Sequence, residues 1–110
     1  MIMKSIGKST YSENSFVIKI NGSLTSSTSL ELRESLKLAS KDQFDTIYID
    51  AKDVDEVDLS GINEVIHSHY NLQLASKKLV LICSKKSNVN KWVEITGLNK
   101  FIEIIYEQKN

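Results

Sequence analysis

Thr46-Ile47-Tyr48-Ile49-Asp50 opens the stretch that decides the fold, which runs through Val57-Asp58-Leu59-Ser60-Gly61-Ile62 to Leu79-Val80-Leu81-Ile82-Cys83. The first and last pieces are short, continuous apolar runs without polar alternation. Such runs suit strands buried on both faces of a sheet. Between them Ile62, Val65, Ile66, His69 and Leu72 recur at three- and four-residue spacing, which predicts an amphipathic helix to about Ala75 with Ser60 as its N-cap. Strand, helix and strand in that order argue for parallel pairing through a crossover helix.

Working outward, Ser15-Phe16-Val17-Ile18-Lys19-Ile20 is rich in β-branched and aromatic residues and ends at Asn21-Gly22. A weaker segment around Ile2 to Ile6 precedes it, so the chain is expected to open with an antiparallel pair. Thr28 and Glu31 have capping-box spacing, and Leu32, Leu36 and Ala39 then share one face, predicting a first helix from about Thr28 to Ser40. Downstream, Val89, Trp92, Val93 and Thr96 mark a short third helix stopped by Gly97, followed by a last strand at Phe101-Ile102-Glu103-Ile104-Ile105. The expectation is one α/β domain over residues 1–110, a mixed sheet of four to five strands with two longer helices and one short helix packed on it.

Composition excludes several functions. The 110 residues carry 14 basic and 14 acidic side chains, so no global positive field draws the chain to nucleic acid or anionic lipid. No apolar run approaches the ~20 residues that span a bilayer, and the opening Met1-Ile2-Met3-Lys4 has no signal-peptide core, so no direct membrane insertion is expected. Cys83 is the only cysteine; it reads as a core residue, and a reducing, cytoplasmic setting fits it. His67 and His69 are two apart on a predicted helix and point to different faces, so no metal site is expected. Nothing resembles an activated nucleophile, a phosphate loop or a paired-carboxylate site; neither a catalytic residue nor a cofactor is expected.

The phrase Val57-Asp58-Leu59-Ser60-Gly61-Ile62 resembles the signature loop of the STAS family, whose pattern is Asp, then Ser or Thr, a small residue, Gly and an aliphatic. Val89-Asn90-Lys91-Trp92-Val93-Glu94-Ile95-Thr96-Gly97-Leu98 is similar to that family's third helix and closing turn, and Asn21-Gly22-Ser23-Leu24-Thr25 occupies the place of its Gly-Glu-Leu-Asp turn. The resemblance implies a STAS-like fold and a bacterial signalling module of the anti-sigma-factor-antagonist type, acting by partner switching in transcription regulation and not by catalysis. In those antagonists the residue after the loop Asp is phosphorylated by a kinase that is also the anti-sigma factor. Here that residue is Leu59, which has no hydroxyl, and Thr25 stands where the turn Asp would be.

The resemblance therefore implies a diverged partner-binding loop formed by Asp55, Asp58, Leu59, Ser60, Gly61, Ile62 and Asn63, with Ser60, one place along, as the phosphorylation candidate. The expected partner is a kinase-type anti-sigma factor or another signalling protein. The alternative is an ABC ATPase, which the STAS subunit of a phospholipid-transporting system binds. The chain itself is expected as a monomer or weak homodimer. Charge is uneven: Asp45, Asp50, Asp53, Asp55, Glu56 and Asp58 face a single Lys52 in the sequence around the loop, whereas Lys77, Lys78, Lys85, Lys86 and Lys91 follow with no acid among them. The acidic group would steer a basic partner to the loop. Trp92 reads as a core or groove-filling aromatic.

Overall fold

The computed structural model describes residues 14–108, together with the backbone of residues 2–6. Strand β1 (Ile2–Ile6) lies antiparallel to β2 (Ser15–Leu24), as the opening pair predicts. Three crossovers follow: α1 (Ser26–Lys41) to β3 (Thr46–Val57), α2 (Leu59–Leu74) to β4 (Lys78–Cys83), and α3 (Asn88–Thr96) with a short 3₁₀ turn (Leu98–Lys100) to β5 (Glu103–Tyr106). The sheet order is β1-β2-β3-β4-β5, with β2 to β5 all parallel. Because each crossover steps to the next strand in the same direction, right-handed connections put the three helices on one face.

That face holds the main core, in which Ile18, Ile20, Ile47, Ile49, Leu79 and Leu81 from the strands meet Leu32, Ile62, Val65, Leu72 and Val93 from the helices. The opposite pleat carries a smaller cluster of Val17, Tyr48, Val80 and Ile82. Both faces of β3 and β4 are thus apolar, which is why their sequences show no alternation. Trp92 is partly buried against the main core, as its place in α3 suggests. Cys83 is fully buried, and burial pushes its thiol up to about 11 despite the hydroxyl of Ser87 beside it.

Two boundaries differ from the sequence expectation, and both shape the site. Strand β2 does not end at Asn21-Gly22 but continues to Leu24, pairing with β3 through register shifts on either side of Asn21 and Gly22. Gly22 sits at φ +89, a conformation strained for any residue with a Cβ, so the glycine marks a bulge and not a strand end. In parallel, β3 runs twelve residues to Val57, well past Asp50. The extra turns of strand carry Lys52, Asp53, Asp55 and Glu56, polar residues that look like loop in sequence.

The first helix also starts earlier than predicted. Thr25 is the N-cap, and the box is formed by Thr25 with Thr28: the Thr25 amide donates to the Thr28 hydroxyl at 3.1 Å. Glu31 takes no part in that box. At the other end of the chain Gly97 is in the left-handed conformation (φ 70) and closes α3, as expected of a C-terminal cap, while the last strand begins at Glu103 and extends to Tyr106.

Candidate functional site

The extended β2 and β3 deliver the starts of α1 and α2 side by side, and this junction is built around Asp58 and Gly61. Asp58, not Ser60, is the N-cap of α2. Its Oδ1 accepts from the Gly61 amide at 2.9 Å, and the Ile62 amide closes the first turn on the Asp58 carbonyl at 3.2 Å. The anchored strand end moves the cap two residues ahead of the expected Ser60, because the Asp58 amide donates to the Leu24 carbonyl at 3.2 Å. The second carboxylate oxygen of Asp58 accepts from the Ser26 amide at 3.3 Å, so one side chain satisfies orphan amides of both helices.

Gly61 is required by space. A Cβ on it would lie 1.9 Å from the Leu24 carbonyl oxygen and 2.9 Å from the Thr25 nitrogen, both rigid backbone. Gly61 and Ile62 are buried in this seam, so neither offers a surface to a partner. The remaining members of the expected loop are reachable. Asp55 is exposed on β3, Asp58 is half-buried, and Ser60 and Asn63 are exposed on α2. Leu59, the first residue of α2, is 54% exposed and turns its apolar side chain away from both cores.

Freed from capping, Ser60 instead lines a groove of about 340 Å³ between α1 and α2, with Ser26, Ser29, Arg33, Asn63 and His67. The groove floor is Glu64, buried on α2 and held by Arg33 of α1, whose Nη2 donates to Oε1 at 2.8 Å and whose Nε donates to Oε1 and Oε2 at 3.2 and 3.3 Å. The carboxylate's hydrogen bonds, then its charge, raise the Arg33 guanidinium further above its ordinary value. Sequence reasoning missed this pair. Glu64 falls on the apolar face of α2 and Arg33 follows Leu32 in α1, a match visible only once the two helices are known to be neighbours.

The acidic group does not form one patch. Asp45 precedes β3 at its opposite end, Asp50 is buried 3.8 Å from Lys52, and Asp53 pairs with Lys19 at 3.0 Å. Only Asp55, Glu56 and Asp58 stand at the start of α2. The lysines divide likewise: Lys77 and Lys78 lie at the start of β4, Lys85 and Lys86 beyond its far end. Lys77 donates to the carbonyls of Asp42 and Phe44, and Lys78 pairs with Glu103.

A hub beyond the loop went unread in the sequence. Buried Asn90 of α3 donates to the Lys85 carbonyl at 2.9 Å and to Glu94 at 3.0 Å, and accepts from the Tyr106 hydroxyl at 2.9 Å, tying the β4–α3 connection to the end of β5. Among the described residues no helix is long and apolar enough to cross a membrane, and no three His, Cys, Asp or Glu side chains cluster as metal ligands would.

A comparison with curated proteins finds no match in sequence. Solved structures do match in fold. An anti-sigma factor antagonist from Mycobacterium paratuberculosis aligns with a TM-score of 0.77 at 14% identity, over 96% of this chain and 86% of that one. The anti-sigma factor antagonist SpoIIAA in its unphosphorylated form aligns at 0.71 and 16% identity, over 98% and 90%. SpoIIAA of Bacillus in its phosphorylated form aligns at 0.69 and 17%, over 97% and 93%. At these identities the likeness is one of fold. The family model for the STAS domain matches residues 8–109, and on that match, with the parallel sheet and the Asp58–Gly61 junction beneath it, the chain belongs to the STAS domain family.

Proposed function

We propose that this chain is a non-catalytic, cytoplasmic regulatory module of the anti-sigma-factor-antagonist type, which docks a protein partner through the end of β3 and the first turn of α2. The observation that carries the reading is Leu59. An apolar side chain 54% exposed at a rigidly capped helix start is an anchor for a partner's pocket, where a few such residues supply most of the binding energy. Asp55 and Asp58 flank it and favour a partner with a basic rim. Asn63 and Ser60 extend the contact into the polar groove with hydroxyl and amide groups.

Two features support a role for the groove. Ser60 is exposed at the positive end of α2, where a phosphate is electrostatically welcome, and Arg33 lines the same groove. Phosphate there would add about −1.5 to −2 charges to the docking surface. A tenfold change in partner affinity needs only ~1.4 kcal/mol.

Affinity capture from the native cell, with the wild-type chain and with Leu59→Asp as baits and mass spectrometry as readout, tests the reading. The wild type is expected to retain a kinase-type anti-sigma factor or another signalling protein that Leu59→Asp loses. Recovery of an ABC ATPase in its place moves the chain to the transporter-subunit role. Equal recovery by both baits removes the docking site from α2.

A further inference from the structure

Helix α2 is unusual for a surface helix in its charge. Its sixteen residues include one acid, Glu64, which is buried and paired with Arg33, and no Lys, Arg or Asp. The outer face instead carries Leu59, Asn63, Tyr70 and Leu74, with Ile66, half-buried against the main core, at its edge. At 100° per residue these fall within about 80° of arc and form one stripe along the whole helix. Tyr70 is 52% exposed and Leu74 87%. Phe101, from the turn after α3, stacks on Tyr70 with centroids 6.3 Å apart and planes at 16°, and His69 lies 5.7 Å from the same ring. Depletion of charge together with exposed aromatic and aliphatic side chains is the composition of an interface centre.

We propose that two copies of this chain pair along α2, antiparallel, about a two-fold axis between Ile66 and His67. The stripe is self-complementary in that arrangement. Leu59 and Leu74 are equally far from the midpoint, so each meets the other on the second copy, and Asn63 comes opposite the hydroxyl-bearing Tyr70 in the same way. A two-fold contact requires this kind of matching, because one surface must serve both sides.

Charge at the two ends fits as well. Exposed Asp55 and Glu56, with half-buried Asp58, stand at the start of α2, while exposed Lys100 adjoins Phe101 toward its other end, and half-buried Lys77, held by the Asp42 and Phe44 carbonyls, adds its charge there. Antiparallel pairing sets the acidic end of one helix beside the basic end of the other, and aligns the helix dipoles favourably. Parallel pairing would bring acid to acid. A sixteen-residue helix is about 24 Å long. The buried area therefore falls at the small end of specific interfaces, below about 1,200 Å² in total, and the association is weak, micromolar or looser.

Leu59 belongs to both this contact and the proposed docking surface, so self-pairing and partner binding exclude one another. The test uses the purified chain without any partner and so stands or falls apart from that reading. Sedimentation equilibrium from about 1 µM to about 1 mM is expected to show a monomer–dimer equilibrium. Leu59→Glu and Leu74→Lys, at exposed positions, each weaken it at least about tenfold by placing a charge against an apolar side chain. The double variant Leu59→Glu/Leu74→Lys regains wild-type affinity within about threefold, because the new charges meet only in the antiparallel register. A monomer throughout the range, dimers indifferent to the single changes, or a double variant no tighter than the singles would each overturn the proposal.

Discussion

Replacing Gly61 by alanine tests the junction that positions the site. The new methyl group would sit 1.9 Å from the Leu24 carbonyl oxygen, about 1 Å inside the closest approach real Cβ atoms show. Leu24 cannot rotate that oxygen away, because its carbonyl already accepts from the Asp58 amide and the next residue is locked in the Thr25–Thr28 box. The start of α2 must therefore retreat from α1. Retreat stretches the 3.2 Å bond from Asp58 to Leu24 and the 3.3 Å bond from Ser26 to Asp58. Overpacking of this kind costs about 1–3 kcal/mol. Two weakened hydrogen bonds add about 1 kcal/mol each. Alanine's higher helix propensity returns up to about 1 kcal/mol. The net loss is about 2–4 kcal/mol, which lowers the urea midpoint by about 1 M or more. An unchanged or raised midpoint would refute the reasoning, since without the clash propensity alone would stabilise the variant.

Asp58→Ala is expected to cost about 1–2 kcal/mol in urea unfolding, because amides of both helices lose their acceptor, whereas Ser60→Ala stays within about 0.5 kcal/mol. A larger loss at Ser60 would return the cap to that residue. Asn90→Ala should cost about 1–2 kcal/mol, because it removes three hydrogen bonds whose partners on Lys85, Glu94 and Tyr106 are exposed enough to turn to water, and Tyr106→Phe, which removes a single bond at a half-exposed ring, about 1 kcal/mol or less; chemical denaturation ranks them. Native Cys83 should resist alkylation at pH 8 and react promptly in denaturant. Because its folded value is raised to about 11 from about 9 when exposed, the protein keeps this contribution below pH 9 and loses it as the pH rises toward 11. Stability that holds level from pH 9 to pH 11 would contradict that burial.

The sequence is legible where a residue acts through its own neighbours along the chain. The unbroken apolar runs at 47–49 and 79–83, the helical spacing of Ile62 to Leu72 and the stop at Gly97 all report local geometry, and each matches its element. Failures arise where a partner distant in sequence decides. Polar Lys52 to Glu56 look like loop because nothing local shows that β2 continues beyond Gly22 to pair with them. Ser60 reads as the cap until the Leu24 carbonyl fixes the strand end and gives the cap to Asp58. Glu64 looks misplaced on an apolar face until Arg33 arrives from another helix. The acidic run looks like a single field, yet pleat alternation and the length of β3 scatter it over two faces and both ends of the strand.

The same contrast separates what the fold demands of this junction from what it leaves free. Asp58 and Gly61 are fixed by bonds and by space, so their identity follows from the crossing of two helix starts. Leu59 lies between them in sequence, yet its side chain belongs to neither core and the backbone asks of it only an ordinary first helical turn. Folding therefore places almost no constraint on residue 59, and a leucine 54% exposed there costs solubility without adding to the core. A side chain the fold does not need, at a site the fold holds rigid, is free to vary without unfolding the chain. The first turn of α2 is accordingly where a change of residue leaves the sheet, the helices and the seam between them as they are, which is what the proposed docking role asks of it.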